Sequence, residues 1–165
     1  MCMRNVILLV LLTVAFAAAH AQGLGVPVDA ASIDDITVFP DGAGLPPGQG
    51  NVVDGEALYQ THCLACHGVN GQNGGNDRLA GGKLPAAPAI GSYWPYATTL
   101  FDYVRRAMPY PSPGILSDQE TYSVVAYLLH LNGLLDAHAV LDAQRLAGIR
   151  MPNRDNFVST YPLPH

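Results

Sequence analysis

Residues 63–67 read Cys63-Leu64-Ala65-Cys66-His67, so that a histidine directly follows the second of two cysteines in a C-x-x-C-H motif. On a helical turn, side chains at positions i and i+3 lie on one face, and the two thiols therefore stand side by side. The imidazole of the next residue lies close to them. The spacing places two sulfur nucleophiles and one nitrogen ligand within reach of a single bound group.

This motif is typical of covalent haem attachment, in which each thiol adds to one vinyl group of the porphyrin and the imidazole binds the iron. Other sites also use paired cysteines. A zinc site needs about four Cys, His or carboxylate ligands, and the sequence has no second Cys pair. A thioredoxin-like pair favours a βαβ context, and we find no clear strand pattern around residues 63–67. A structural disulfide in an exported protein is the alternative that the residues leave open.

Residues 1–21 have the pattern of a secretory signal peptide. Arg4 supplies a positive charge, residues 6–19 are an apolar run, and Ala19-His20-Ala21 has the small-x-small form of a cleavage site. The run is shorter than the roughly 20 apolar residues that span a bilayer. The sequence therefore predicts cleavage near Ala21, export to the periplasm, and no membrane anchor in the mature chain.

Removal of this segment changes the cysteine count and the charge. Cys2 is lost, which leaves Cys63 and Cys66 of the three cysteines. Loss of Arg4 from the 8 basic residues leaves 7 against 13 acidic ones, a formal net charge of −6 with His neutral. An acidic chain argues against nucleic-acid binding and favours a redox protein partner with a positively charged docking patch.

Three helical patterns follow, and they predict an all-α fold with about three main helices. The first begins at Asp54 as N-cap, the second is opened by Pro95, and the third is launched by a capping box in residues 117–120. Gly55, Tyr59 and Cys63 share one face of the first helix at spacing i, i+4, i+8. We expect that face to pack against two residues of the last helix, Val124 and Tyr127.

The segments on either side of these helices are less regular. Residues 22–52 are rich in Gly and Pro and are predicted to form an extended arm, with Phe39 as the anchor that packs on the helical domain. The predicted organisation is a signal peptide (1–21), the arm (22–52), a helical domain (53–135) and a C-terminal extension (136–165). The extension has one short helical pattern over residues 140–147, and the sequence does not decide how it packs.

Met108 stands at the head of a proline-rich stretch, residues 108–113, that ends the second helix. A thioether fixed there would complete histidine–methionine ligation of a haem iron with His67, an arrangement that raises the reduction potential. The alternative is that Met108 fills the core. Other possible ligands are disfavoured, because they lie in the tail, lie too near the cysteines, or are expected to face water: Met151, His62, His130 and His138.

Two further side chains are candidates for contact with the haem propionates. Arg78 lies in the long Gly- and Pro-rich loop of residues 68–88, which is expected to wrap the proximal side of the haem. Its planar guanidinium matches a carboxylate, although a solvated arginine is the alternative. Trp94 precedes the second helix, and its indole N–H needs an acceptor if buried. A propionate is one such acceptor, and ordinary core packing is the alternative.

The set Gly55, Tyr59, Cys63-x-x-Cys66-His67 and Met108, with an aromatic last helix, resembles the class I cytochrome c domain over roughly residues 53–135. A narrower resemblance is to the cytochrome subunit of the bacterial sulfur dehydrogenase of the thiosulfate-oxidising (Sox) system and to related sulfite dehydrogenase cytochromes. It covers most of the mature chain and is carried by four stretches: residues 41–48, 91–109, 126–133 and 151–155.

The resemblance implies a class I cytochrome c fold around one covalently bound haem c, and a periplasmic electron acceptor that works beside a separate molybdenum subunit. The Sox cytochrome usually carries two haem domains, whereas this chain has one C-x-x-C-H motif. We expect a protein that transfers single electrons rather than an enzyme, because ligation by His67 and Met108 leaves no open iron position. The alternative is a haem enzyme or gas-binding sensor with a labile distal ligand, which requires Met108 to be displaced.

Overall fold

The computed structural model describes residues 36–158. The predicted signal peptide, the first part of the arm and the last residues of the extension lie outside this range. Within it, helices and short strands follow in the order β1 (Gln49–Asn51), α1 (Val52–His62), α2 (Leu64–His67), α3 (Ile90–Tyr93), α4 (Ala97–Ala107), α5 (Asp118–Leu131), β2 (Val140–Asp142) and α6 (Ala143–Gly148). Single 3-10 turns occupy Val69–Gly71 and Arg154–Asn156.

The three long helices are α1, α4 and α5, with 11, 11 and 14 residues. The prediction of a helical fold with about three main helices is therefore confirmed, with a two-stranded sheet added to it. In the part of the chain that is described, no helix combines the length and the apolar character that a membrane crossing requires.

The first helix begins earlier than the sequence pattern indicates. Its N-cap is Asn51, whose side-chain oxygen accepts a hydrogen bond from the Asp54 N–H at 2.9 Å. Asp54 lies in the first helical turn, where a carboxylate is favoured by the helix dipole. The prediction of Asp54 as the cap was wrong, because an asparagine three residues earlier satisfies the free backbone donor of that turn.

Helices α1 and α5 cross in close contact at Gly55. A Cβ on Gly55 would stand 1.9 Å from the Ser123 carbonyl oxygen and 2.9 Å from the Tyr127 Cβ. The rings of Tyr59 and Tyr127 pack with their centroids 5.3 Å apart. The predicted contact with Tyr127 is thus confirmed, while the residue that faces the glycine is Ser123 rather than Val124. Only a residue without a side chain lets the two backbones approach this closely.

The second and third main helices follow their sequence signals to within two residues. Helix α4 begins at Ala97, with Tyr96 as its N-cap, rather than at Pro95. In α5 the capping box is present as predicted, because the Ser117 N–H donates to Glu120 Oε2 at 2.8 Å and the Glu120 N–H donates to the serine hydroxyl. Helix α5 is buried along nine consecutive residues, 121–129, and is therefore the centre of the core.

Parts of the arm and of the C-terminal extension belong to the same core as the helices. Strand β1 from the arm pairs antiparallel with β2 from the extension, with Gly50 opposite Leu141. Val38 in the arm and Leu146 and Met151 in the extension all have exposures of 7% or less. Phe39, the predicted anchor, is 54% exposed. That prediction was wrong: the anchor is the adjacent Val38, because in an extended segment neighbouring side chains point to opposite sides.

Candidate haem-binding site

The motif Cys63–His67 forms a single helical turn. Cys63 is the C-cap of α1, with its N–H donating to the Tyr59 carbonyl at 2.9 Å, and α2 starts at the next residue. The N–H groups of Cys66 and His67 both donate to the Cys63 carbonyl, at 3.1 and 2.9 Å. Both cysteines are free thiols and partly exposed. The turn therefore presents two unpaired sulfur atoms and the imidazole from one short segment.

The ring of His67 is oriented by a backbone acceptor. Its Nδ1 atom lies 3.0 Å from the Asp77 carbonyl oxygen. In the tautomer that carries the proton on Nδ1, this nitrogen donates to the carbonyl, and Nε2 keeps a free lone pair. An imidazole fixed through one nitrogen and free at the other is the usual arrangement of a histidine that binds a metal.

A tight loop returns the chain to His67 so that Asp77 can reach it. The Asn76 N–H donates to the Cys66 carbonyl at 3.1 Å, and Gly68 turns the chain with a positive φ of 75°. A Cβ on Gly74 would stand 2.3 Å from the Cys66 carbonyl oxygen and 2.4 Å from the His67 carbonyl carbon. This loop therefore needs a glycine where its backbone passes over the helical turn.

Two buried tyrosines hold the start of the same loop. The Tyr59 hydroxyl donates to the Gly68 carbonyl at 2.8 Å, and the Tyr127 hydroxyl donates to Asn70 Oδ1 at 3.4 Å. Burial raises the pKa of Tyr59 to about 12, so its hydroxyl is a protonated donor at neutral pH. Sequence reasoning assigned Tyr59 to helix packing and missed this second role. The choice of Tyr rather than Phe at a buried position is the signal that indicates it.

The Cys63 thiol is protonated in the unliganded chain. Burial, together with the neighbouring Cys66, raises the pKa of Cys63 to about 11. Desolvation disfavours the thiolate. The cysteine therefore has little tendency at neutral pH to react as a free thiolate.

Met108 lies at the opposite end of the second main helix from the segment that contains Trp94. It is the C-cap of α4, with its N–H donating to the Val104 carbonyl at 3.1 Å, and it is partly exposed while packing against the core. The other methionine considered, Met151, is 1% exposed and part of the core. Of the two, Met108 is thus the one whose side chain is not fully buried in the core.

The two candidate propionate partners lie on different segments. Arg78 directly follows Asp77, is partly exposed, and forms no ion pair within residues 36–158. Trp94 is half-buried, with its ring edge-on to that of Tyr103 at a centroid distance of 5.6 Å and an angle of 89°. Tyr103 is 47% exposed, so its ring is not part of the buried core.

The residues present fit a haem c group. The donors comprise two free thiols, an imidazole with one free nitrogen, and a thioether, which are the groups that covalent attachment and histidine–methionine ligation require. A set of apolar side chains packs against the core but stays partly exposed, as expected of residues that a flat apolar ring would cover: Leu58, Leu64, Leu79, Trp94 and Met108. Between residues 36 and 158, no three His, Cys, Asp or Glu side chains form a metal-binding cluster.

A separate groove lies between the loop after the motif and the C-terminal extension. Its volume is about 400 Å³. Its walls do not include Cys63, Cys66, His67 or Met108 and are formed by Gly81, Gly82, Leu84, Gly91, Ser92, Leu131, Asn132, Pro152, Asn153 and Asn156. The groove is therefore distinct from the motif and from Met108.

Comparison with known proteins gives a consistent result. The family model described as Cytochrome c matches residues 52–132. Over 81 residues, 47% of this chain, the sequence is 33% identical to a thiosulfate dehydrogenase from Allochromatium vinosum. Over 110 residues, 57% of this chain, it is 30% identical to a thiosulfate dehydrogenase from Psychrobacter arcticus. The matches cover 30% and 31% of those proteins, so this chain spans less than a third of either.

A solved structure resembles a larger part of the chain. The structure of the sulfane dehydrogenase SoxCD from Paracoccus pantotrophus contains a chain with 39% sequence identity and a TM-score of 0.74. The similarity covers 83% of this chain and 71% of that chain. It therefore extends beyond residues 52–132 into the arm, the extension, or both.

Proposed function

Because this chain belongs to the cytochrome c family, we propose that it is a monohaem electron-transfer protein of bacterial sulfur oxidation. Cys63 and Cys66 would hold haem c covalently, and His67 and Met108 would bind the iron. The bound haem supplies a one-electron redox couple. The observation that carries the proposal is the α2 turn, where two free thiols stand beside an imidazole whose Nδ1 is engaged and whose Nε2 is free.

The remaining side chains have supporting roles in this proposal. The Asp77 carbonyl fixes the tautomer of His67, which keeps Nε2 available as a ligand. Arg78 and the indole N–H of Trp94 are proposed donors to the haem propionates, since both side chains are partly exposed and Arg78 directly follows Asp77, whose carbonyl contacts His67. With both axial positions taken by protein atoms, the chain passes electrons without binding a substrate at the iron.

We further propose that the electron donor is a molybdenum-containing sulfur or sulfite dehydrogenase subunit in the periplasm. The similarity to a chain of a sulfane dehydrogenase supports this assignment, as do the thiosulfate dehydrogenase relatives. The chain has 13 acidic and 8 basic residues. This charge suits a partner with a positively charged docking surface, which would speed their encounter at low ionic strength.

A second candidate is that the chain itself takes part in oxidising a sulfur compound. The observation in its favour is that both curated relatives are named thiosulfate dehydrogenase. This function requires an iron position that a substrate can reach, and therefore a Met108 that leaves the iron. Carbon monoxide binding to the reduced protein distinguishes the two candidates, because a stable methionine ligand prevents it.

The test of the proposed function is to express the full-length chain in a bacterium that matures c-type cytochromes and to isolate it from the periplasm. We expect a red protein whose mass exceeds that of the processed polypeptide by one haem. We also expect the weak red absorption band of methionine-ligated ferric haem. A colourless protein at the bare polypeptide mass would overturn the proposal. Co-purification from the native organism, with molybdenum measured in the eluate, tests the proposed partner separately.

A further inference from the structure

The C-terminal segment, residues 150–157, lies outside the region matched by the family model, yet it makes specific contacts with the residues that precede α4. Its contacts converge on one short stretch of the chain, residues 93–96, which connects α3 to α4. Tyr96 in that stretch is the N-cap of α4, and Met108 is the C-cap of the same helix. The C-terminal segment therefore touches the helix that carries the proposed iron ligand at its other end.

The strongest of these contacts is made by a buried amide. Asn153 is 6% exposed, and its Nδ2 donates to the Tyr93 carbonyl at 2.7 Å. Its Oδ1 accepts a hydrogen bond from Asn156 Nδ2 at 2.9 Å. Both ends of the amide are thus satisfied, which is the condition under which a buried polar group stabilises one arrangement rather than weakening the fold.

Three further contacts join residues 150–157 to residues 93–96. Arg150 forms an antiparallel bridge with Tyr96. The guanidinium of Arg154 lies 5.1 Å from the centre of the Tyr96 ring, within the range of a cation–π interaction. The ring of Phe157 packs edge-on against Tyr93 with centroids 5.5 Å apart. Side-chain and backbone interactions of several kinds therefore fix residues 93–96 on the C-terminal segment.

Trp94 lies in the middle of the stretch that is held. Its ring packs edge-on against Tyr103, on α4 itself. A helix of 11 residues is about 16 Å long, and Tyr96 and Met108 cap its two ends, so a shift of the whole helix would move both residues. The arm is also hydrogen-bonded to α4. The Thr98 hydroxyl donates to the Pro40 carbonyl at 3.3 Å, and Asp102 Oδ1 accepts from the Val38 N–H at 2.9 Å.

We propose that residues 150–157 are a positioning element that holds α4 in the place where Met108 reaches the iron, and that Asn153 is its principal residue. The inference rests on the proposed function, because Met108 needs positioning only if it is a ligand. The segment acts through α4 and does not touch the iron. Its loss raises the fraction of molecules in which the methionine is detached, and an added ligand then binds more tightly in proportion to that fraction.

The experiment compares two variants of the haem-loaded, full-length protein. Asn153→Ala removes the hydrogen bond to the Tyr93 carbonyl and the one accepted from Asn156. Asp155→Asn is the matched control, because it removes only the ion pair with Arg150, in which the two side chains are 71% and 70% exposed. We expect ferric Asn153→Ala to bind imidazole about three- to tenfold more tightly than wild type, with a weaker methionine–iron band. We expect Asp155→Asn to match wild type, since exposed ion pairs contribute little.

A purely structural role of the segment gives a different result. Asn153→Ala would then melt at a lower temperature, while its imidazole affinity, measured well below the melting transition, would equal that of wild type. That outcome overturns the inference, as would an equal effect of Asp155→Asn. The fluorescence lifetime of Trp94, the one tryptophan of the chain, is a second readout, because quenching by the haem reports the position of residues 93–96. An unchanged lifetime in Asn153→Ala also counts against the inference.

If Asn153→Ala fails to fold, Phe157→Ala provides the same test from an exposed position, since Phe157 is 43% exposed and contacts Tyr93 alone among the aromatic rings described. We expect a smaller rise in imidazole affinity, about twofold, and no rise would overturn the inference. The outcomes remain distinguishable from failure of the proposed function. A wild-type protein without covalent haem refutes that function, whereas a haem-loaded protein with unchanged ligand affinity in both variants refutes only the positioning role.

Discussion

The two sides of the proposed iron site are held by contacts between residues that differ in their separation along the sequence. On the His67 side, the orienting carbonyl belongs to Asp77, ten residues away. On the Met108 side, the segment that carries α4 is held by residues about 60 positions away, such as Asn153 on Tyr93. One proposed ligand is therefore positioned by a local turn and loop, and the other by the packing of distant segments. The comparison indicates that the histidine is fixed by the motif itself, while the methionine depends on the rest of the fold.

The largest effect is expected from removal of the local side altogether. Replacing both Cys63 and Cys66 with Ala removes the sulfur atoms that attach the haem, and we expect complete loss of covalent haem. Without haem, the partly exposed apolar residues would no longer be buried against the porphyrin. Most of the cooperative unfolding transition should therefore also be lost. Mass spectrometry and thermal unfolding followed by circular dichroism measure the two effects.

His62→Gln is the control for this pair, since it changes the residue next to Cys63 without removing a thiol. It should retain one haem and a transition near that of wild type. Retention of covalent haem in the double variant would show that the motif is not the attachment site. The haem-attachment site would then have to be sought outside residues 63–67.

The second prediction separates the two methionines. Met108→Ala should lower the reduction potential and let the reduced protein bind carbon monoxide, because it removes the proposed sulfur ligand of the iron. Its cost in stability through lost packing should be small. Met151→Ala should do the reverse: it removes a side chain that is 1% exposed and should cost about 2–5 kcal/mol of unfolding free energy, with an unchanged potential.

The two variants are compared by redox titration, carbon monoxide difference spectra and denaturant unfolding of the same preparations. An altered potential in Met151→Ala together with an unaltered one in Met108→Ala would reverse the axial assignment. It would also move the methionine side of the comparison from α4 to the C-terminal extension, while the His67 side would stay with the motif.

The same contrast explains how much of the molecule could be predicted from the sequence. The motif, the capping box at Ser117 and the contact of Gly55 with the last helix all follow from spacings within one helix or one turn. The pairing of β1 with β2 does not, because each strand has three residues and no alternating pattern long enough to be recognised. The roles of the arm and of Asn153 depend on contacts across some 60 residues, for which a single sequence has no short-range signal.

The third prediction tests the local loop without touching a ligand. Gly74→Ala should cost about 1–3 kcal/mol of stability and weaken the contact of the Asp77 carbonyl with His67, because the new Cβ would lie 2.3 Å from a backbone oxygen. Gly75→Ala is the matched control, since an added Cβ there meets nothing within 4 Å. It should be neutral or stabilise the protein by up to about 1 kcal/mol through the unfolded state.

Chemical denaturation of the haem-loaded variants measures both changes, and the proton spectrum of the paramagnetic ferric protein reports the orientation of the His67 ring. Equal stabilities for Gly74→Ala and Gly75→Ala would show that the loop can accommodate a Cβ at residue 74. This result would contradict the close approach of Gly74 to Cys66. The local side would then be less tightly determined than the distant one.

The smallest effect concerns a single long-range hydrogen bond, from the Tyr122 hydroxyl to the Pro46 carbonyl of the arm at 2.9 Å. Tyr122→Phe should cost about 1 kcal/mol at pH 8. Burial raises the pKa of Tyr122 to about 12. Between pH 10 and 12 the unfolded chain therefore releases this proton while the folded chain keeps it, and the stability of wild type falls as the pH rises. Phe does not titrate, so the advantage of wild type over Tyr122→Phe should shrink across this range. Denaturant unfolding at pH 8 and at steps up to 11.5 measures it, and an advantage that stays constant would show that the arm is not held by a buried, protonated tyrosine.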